Sequence, residues 1–102
     1  MRILPEPIIF EWDEGNLQKS FEKHNVNSQE AEEVFSNDPF VISEDVQHST
    51  KREQRFQALG KTKSNRKLFI VFTIRDARIR VISVRAMNKK EVVTYETIKK
   101  NS

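Results

Sequence analysis

Hydrophobic positions change period twice along this chain. A short apolar run, Ile8-Ile9-Phe10-Glu11-Trp12, follows the breakers Pro5 and Pro7 and predicts a strand. Asp13 can then cap a helix through about Lys23, with Leu17 and Phe21 one turn apart on its inner face. His24-Asn25-Val26-Asn27 breaks that helix. A second is expected from Ser28 to Phe35, because Asn27 and Glu30 stand at capping-box spacing and Ala31, Val34 and Phe35 face inward. Asn37-Asp38-Pro39 ends it.

Strand-like segments then take over. Phe40-Val41-Ile42 reads as a strand, Glu44 to Glu53 as a polar loop, and Arg55 to Thr62 as a strand closed by the turn Lys63-Ser64-Asn65. Leu68 to Arg75 is apolar on both faces, as a central strand would be. Asp76-Ala77-Arg78 turns the chain into a strand over Ile79–Arg85. Helical spacing returns after Asn88, which with Glu91 caps a last helix carrying an apolar stripe of Val92, Tyr95 and Ile98. The expected order is β-α-α-β-β-β-β-α, an α+β domain whose late strands form a mainly antiparallel sheet with helices packed on it. One domain over residues 1–102 is expected, its core at about 8–98, with 1–6 and 99–102 loose.

Charge adds what periodicity does not. Residues 1–50 carry 3 Lys/Arg against 11 Asp/Glu, and residues 51–102 carry 15 against 4, so net charges of −8 and +11 hide behind an overall +3. A basic half with arginines set into strands suits a polyanion, most simply nucleic acid. The chain has no cysteine, two histidines and two glycines, which argues against disulfides, a multi-histidine zinc site and a Gly-rich phosphate loop. No metal or cofactor is therefore expected. The longest apolar stretch, Leu68 to Ile74, is too short to span a bilayer, and no secretory pattern opens the chain, so cytoplasmic residence is the simplest expectation.

Alternation puts Val71, Thr73 and Arg75 on one face of their strand and Val81, Ser83 and Arg85 on one face of the next. If the hairpin aligns these faces, Arg75 and Arg85 rim one surface and can grip a phosphate through paired hydrogen bonds. The competing reading is that each arginine pairs with Asp76 or Glu91 at a strand end. His24, beside Lys23, is either a proton-transfer group near a phosphate or a C-terminal helix cap, the commoner use of such a histidine. The loop from Asp45 to Arg55 gathers His48, Glu53 and several bases, a weak signal alone. Trp12 reads as a core anchor rather than a base-stacking ring, with Phe10 facing the other way.

Taken together, these segments resemble the BrnT family of type II toxins. The likeness runs through Phe10-Glu11-Trp12-Asp13, Lys23-His24-Asn25-Val26, Glu30-Ala31-Glu32-Glu33-Val34-Phe35 and Asp38-Pro39. It continues in Asp45, His48-Ser49, Glu53 and Arg55, in Ala58-Leu59-Gly60-Lys61-Thr62 and Arg66, and in Leu68 to Arg75. Arg80-Val81-Ile82-Ser83, Arg85, Met87 to Glu91 and Tyr95 complete it. The chain departs from the family pattern at Ser20 (commonly asparagine), Asn25 (commonly glycine), Val84 (commonly alanine) and Val92 (commonly basic). The resemblance implies a RelE-like fold and a growth-inhibiting, metal-independent endoribonuclease. It also implies a BrnA-like antitoxin partner, through which alone the complex reaches operator DNA, and RNA, including ribosome-bound mRNA, as substrate. On that footing Arg75 and Arg85 hold the scissile phosphate, Lys23, Arg55 and Arg80 assist, and His24 or Glu53 transfers the proton. The alternative is a non-catalytic module of the same fold, serving as corepressor or RNA binder.

Overall fold

The computed structural model describes residues 4–37 and 40–100. Its elements are β1 (Phe10–Trp12), α1 (Glu14–His24), α2 (Ser28–Val34), β2 (Val41–Glu44), β3 (Arg55–Lys61), β4 (Lys67–Arg75), β5 (Arg78–Ala86) and α3 (Lys89–Lys100), with one 3-10 turn at Val46–His48. The fold class is the expected α+β, one five-stranded sheet with three helices. Asp38 and Pro39, expected to end α2, lie outside the described residues. The last helix runs to Lys100, past the point where the pattern left the chain loose.

The sheet order is β1-β5-β4-β3-β2, which puts β4 at its centre as its two-faced apolarity requires. β2 to β5 pair antiparallel in sequence, while β1 pairs parallel with the outer side of β5. One face is the core. Leu68, Ile70 and Phe72 of β4, with Ala58 of β3 and Val81 of β5, are wholly buried there against Ala31 and Val34 of α2. The Phe35 ring, just past α2, meets the rings of Phe10 and Phe72 edge-on, each at 5.2 Å. Phe10 and Trp12, two residues apart, both pack on this core rather than facing opposite ways, because strand side chains repeat every second residue. Trp12 is the anchor expected of it, and its ring N–H donates to Glu32 at 2.8 Å.

Local chemistry explains the ends. Asp13 accepts the Asn16 N–H at the start of α1. Asn25, the usual glycine position, closes that helix in the left-handed conformation at φ 53°, which asparagine tolerates. Capping boxes join Asn27 to Glu30 and Asn88 to Glu91. The face expected of α1 is rotated: Ser20 is buried against β5, whereas Phe21 is 54% exposed. A small residue lets the helix lie close along the strand edge beyond the end of β1.

A bulge shapes the second sheet face. Val71 pairs with Ser83 but Phe72 pairs with Val81, so Ile82 is an extra residue on β5. Val81 therefore turns to the core, while Ser83 and Arg85 stay on the opposite face. Simple alternation fails here, and its failure brings Arg80 onto the same face as Ser83. α3 covers one end of this face, held by a Lys67–Glu96 ion pair of 2.8 Å, and leaves the other end open.

Candidate functional site

Across the open end, register places arginines in adjacent rows. Arg55 of β3 lies opposite Thr73 of β4, and Thr73 opposite Arg80 of β5. In the next row Arg75 lies opposite Arg78, flanking the two-residue turn Asp76-Ala77. A polar cleft of about 270 Å³ opens beside them, lined by Arg52, Glu53, Gln54, Thr73, Ile74 and Arg75. Of these guanidinium groups, Arg55 is paired, its Nε donating to Glu53 at 2.9 Å. Arg52, Arg75, Arg78 and Arg80 have no ion pair or side-chain hydrogen bond among the described residues. Guanidinium groups gathered without partners at one end of a rigid sheet make a patch of positive charge that can take an anion.

The loop that delivers Arg52 to Arg55 is stitched rather than merely solvated. Ser49 Oγ donates to the Asp45 carbonyl at 2.7 Å and accepts the Arg55 N–H at 2.9 Å. The Asp45 N–H donates to the Arg55 carbonyl, and Thr50 exchanges hydrogen bonds with Glu53 in both directions. Thr73 Oγ1 ties the loop to β4 by donating to the Gln54 carbonyl at 2.7 Å. Asp45, almost wholly buried, accepts the His48 N–H at 3.3 Å and faces the His48 ring Nδ1 at 3.0 Å. Burial raises the Asp45 pKa, but hydrogen bonds from the His48 ring, Gln57 and the His48 backbone outweigh that and hold it below its usual value.

Arg85 belongs elsewhere. It shares the sheet face with Arg75 but stands opposite Phe69, six residues back along β4, about 20 Å away. Both its terminal nitrogens donate to Glu91, at 2.7 and 2.9 Å, and its guanidinium lies 4.2 Å from the centre of the Phe69 ring. The Arg85 hydrogen bonds in turn hold Glu91 below its ordinary pKa. The expected Arg75–Arg85 clamp is therefore overturned, and the competing ion-pair reading describes Arg85. Its work is to fasten the start of α3 to the sheet. The apolar groove of about 360 Å³ beside it, lined by Val41, Leu59, Phe69 and Ile98 among others, carries no comparable cluster of free cations.

Lys23 and His24 lie at the exposed end of α1, in a hollow of about 210 Å³ shared with Lys19, Ser20 and Ser83. Ser83 stands about 10 Å along β5 from Arg80, so the hollow extends the basic surface rather than forming its centre. The last carbonyls of α1 are satisfied by Arg66, which donates to His24 O at 2.8 Å and to Asn25 O at 2.6 Å. The His24 ring is not the cap. Of the seven residues singled out in the sequence, Glu53, Arg55, Arg75 and Arg80 come together, Lys23 and His24 lie to one side, and Arg85 is apart.

Sequence reasoning gave no role to Arg52 or Arg78, and it named Asp45 and His48 within the family likeness without pairing them. Arg78 carried a usable signal, because a two-residue hairpin forces the residues before and after the turn to face each other. His48 carried little, since nothing in the local pattern says that Asp45 points inward.

Comparison with known proteins agrees with this architecture. Among curated proteins none matches the chain in sequence. The crystal structure of the Brucella abortus ribonuclease toxin BrnT superposes with a TM-score of 0.58 at 21% identity, over 80% of this chain and 99% of that one. The likeness at that identity is one of fold. In sequence, residues 12–91 match the profile of the family described as "Ribonuclease toxin, BrnT, of type II toxin-antitoxin system". With most of its length inside that profile, the chain belongs to the BrnT family of ribonuclease toxins.

Proposed function

We propose that this protein is a metal-independent endoribonuclease that cuts mRNA at the arginine-lined end of its sheet, and that a BrnA-like antitoxin restrains it. The observation that carries the reading is the Arg55–Thr73–Arg80 row beside Arg75, with three of those four positions bearing guanidinium groups on one face. Those groups hold the scissile phosphate. A base draws the proton from the ribose 2′-hydroxyl, the oxygen attacks the adjacent phosphorus, and a cyclic phosphate remains. Charge then accumulates on the phosphorane oxygens, where fixed guanidinium donors stabilise it most.

Glu53 is the base in this scheme, since it alone among the notable carboxylates lines the cleft with Arg75. Its bond to Arg55 Nε keeps it oriented. Lys23 and His24 contact the flanking backbone instead of the reacting phosphate. Arg85 positions α3. The partners of Arg75 in gripping the phosphate are thus Arg55 and Arg80, in place of the Arg85 that simple alternation suggested.

Cleavage of a labelled mRNA, free and ribosome-bound, tests this in the presence of EDTA. Fragments with cyclic phosphate ends are expected at undiminished rate. Loss of cleavage in EDTA with the protein still folded would overturn the metal-free route. A folded protein that binds antitoxin tightly yet cuts no RNA in either format would instead be the non-catalytic module.

A further inference from the structure

The proposed chemistry leaves one proton unassigned. The 2′-oxygen gives its proton to Glu53, but the departing 5′-oxygen must gain one, and an arginine cannot supply it. We infer that His48, held by Asp45, is the general acid of this site. The inference rests on the ribonuclease reading and extends it by one catalytic residue and one positioning residue.

Position comes first. Gln57 lies on the same sheet face as Arg55, since both occupy alternate positions on β3, opposite Val71 and Thr73. The Gln57 side chain is one of the groups that lower the Asp45 pKa, which sets it near the Asp45 carboxylate. The His48 ring bonds to both Asp45 oxygens through Nδ1, at 3.0 Å each. The next residue, Ser49, is bonded to the Arg55 backbone. The ring therefore belongs to the loop that also carries Glu53, one residue from the Ser49 that is bonded to the Arg55 backbone, and it lies outside the lining of the cleft itself.

The ring also has the right free atom. With Asp45 ionised, Nδ1 carries the proton that bridges to it, and Nε2 is left with no partner among the described residues. The side chain is 61% exposed, open to a substrate, whereas that of Asp45 is 7% exposed and fixed by the fold. A buried carboxylate behind an exposed imidazole fixes the orientation of the ring and the placement of its Nδ1 proton. Charged groups on the neighbouring segments are Glu44, Lys51, Arg52, Glu53 and Arg55. His24, the other histidine, stands at the end of α1 in a separate hollow and has no carboxylate partner among the described residues.

The step balances as follows. The 2′-hydroxyl proton passes to the Glu53 carboxylate as the O2′–P bond forms. The P–O5′ bond breaks as the proton on His48 Nε2 passes to O5′. The products are a 2′,3′-cyclic phosphate and a 5′-hydroxyl, with Glu53 protonated and His48 neutral until solvent exchange restores both.

The test is cleavage of an RNA whose scissile 5′-oxygen is replaced by sulfur. A thiolate leaves without a proton, so the acid becomes dispensable for that substrate alone. On ordinary RNA, His48→Gln is expected to lower kcat about 10²- to 10⁴-fold with KM little changed. On the sulfur-substituted RNA it should cut within a few-fold of the wild type. Asp45→Asn, which retains a hydrogen-bonding side chain, should show a smaller kcat loss with the same rescue, and thermal melts confirm folding of both variants. Equal activity of His48→Gln and wild type on ordinary RNA would overturn the assignment, as would an equal defect on both substrates. If wild type cuts neither RNA, free or on ribosomes, the ribonuclease reading itself fails. If it cuts and only the arginine variants lose activity, that reading stands and the His48 assignment falls.

Discussion

A single ion pair shows how residue identity and function part company here. Arg85 looked like a phosphate ligand because it is an arginine at a strand end, but Glu91 occupies it through two hydrogen bonds. The sign of its pH dependence follows. Arg85 lowers the Glu91 pKa below its ordinary 4.5, so the pair contributes stability above that pH and loses it as the pH falls through the lowered value. Glu91→Gln should cost about 1 kcal/mol at neutral pH, the pair being partly exposed. In thermal melts the gap between wild type and variant should close as the pH drops below 4.5. A gap that does not narrow at all as the pH falls would show that the charge pair is not its source.

The turn Asp76-Ala77 offers a second residue-scale prediction. Both residues have positive φ, 52° and 60°, which asparagine, aspartate or glycine accepts and alanine resists. Ala77→Gly should raise stability by about 0.5 to 1 kcal/mol, the relieved strain exceeding the extra chain entropy. Chemical denaturation measures it, and a loss of stability would contradict the geometry.

At the scale of elements, much of the fold was legible. Caps at Asp13, Asn27 and Asn88 were visible as residue types at fixed offsets, because capping is a local hydrogen-bond problem. The centrality of β4 could be read from apolarity on both faces. What could not be read was the bulge at Ile82, which no residue type announces and which reversed the face assigned to Val81. The inner face of α1 was misread for a related reason: close packing on β5 selected small Ser20 over large Phe21. Tight packing also governs β3. A Cβ on Gly60 would lie 2.5 Å from Val34 Cγ1 and 3.3 Å from the Phe40 ring, so Gly60→Ala must push α2 off the sheet. We expect a loss of about 1 to 3 kcal/mol in denaturant titration. An unchanged midpoint would mean that α2 is not seated as described.

The whole molecule returns to the divided charge. The acidic half of the sequence supplies α1, α2 and the β1 and β2 edges, while the basic half supplies the three long strands and α3. The polarity of the sequence thus follows the division between the long strands with α3 and the rest of the fold. It could not locate the site within the sheet, because that depends on register: the hairpin turn pairs Arg75 with Arg78, and the bulge brings Arg80 into line with Arg55 across Thr73. Binding of single-stranded RNA should weaken with salt, and each lost phosphate contact should flatten the log–log slope by about 0.7. Arg75→Ala is expected to do so, and an unaltered slope would remove it from the interface.

The most direct measurement is a map of new RNA ends in cells minutes after the toxin is induced without antitoxin, comparing wild type with Arg75→Ala/Arg80→Ala and with Arg85→Ala. All three proteins are checked for folding and abundance, and living cells keep the ribosome available. Abundant new ends with wild type and with folded Arg85→Ala, but not with the Arg75/Arg80 double variant, are what the proposed site requires. Matching ends from the double variant and wild type would contradict it and move the phosphate site off this end of the sheet.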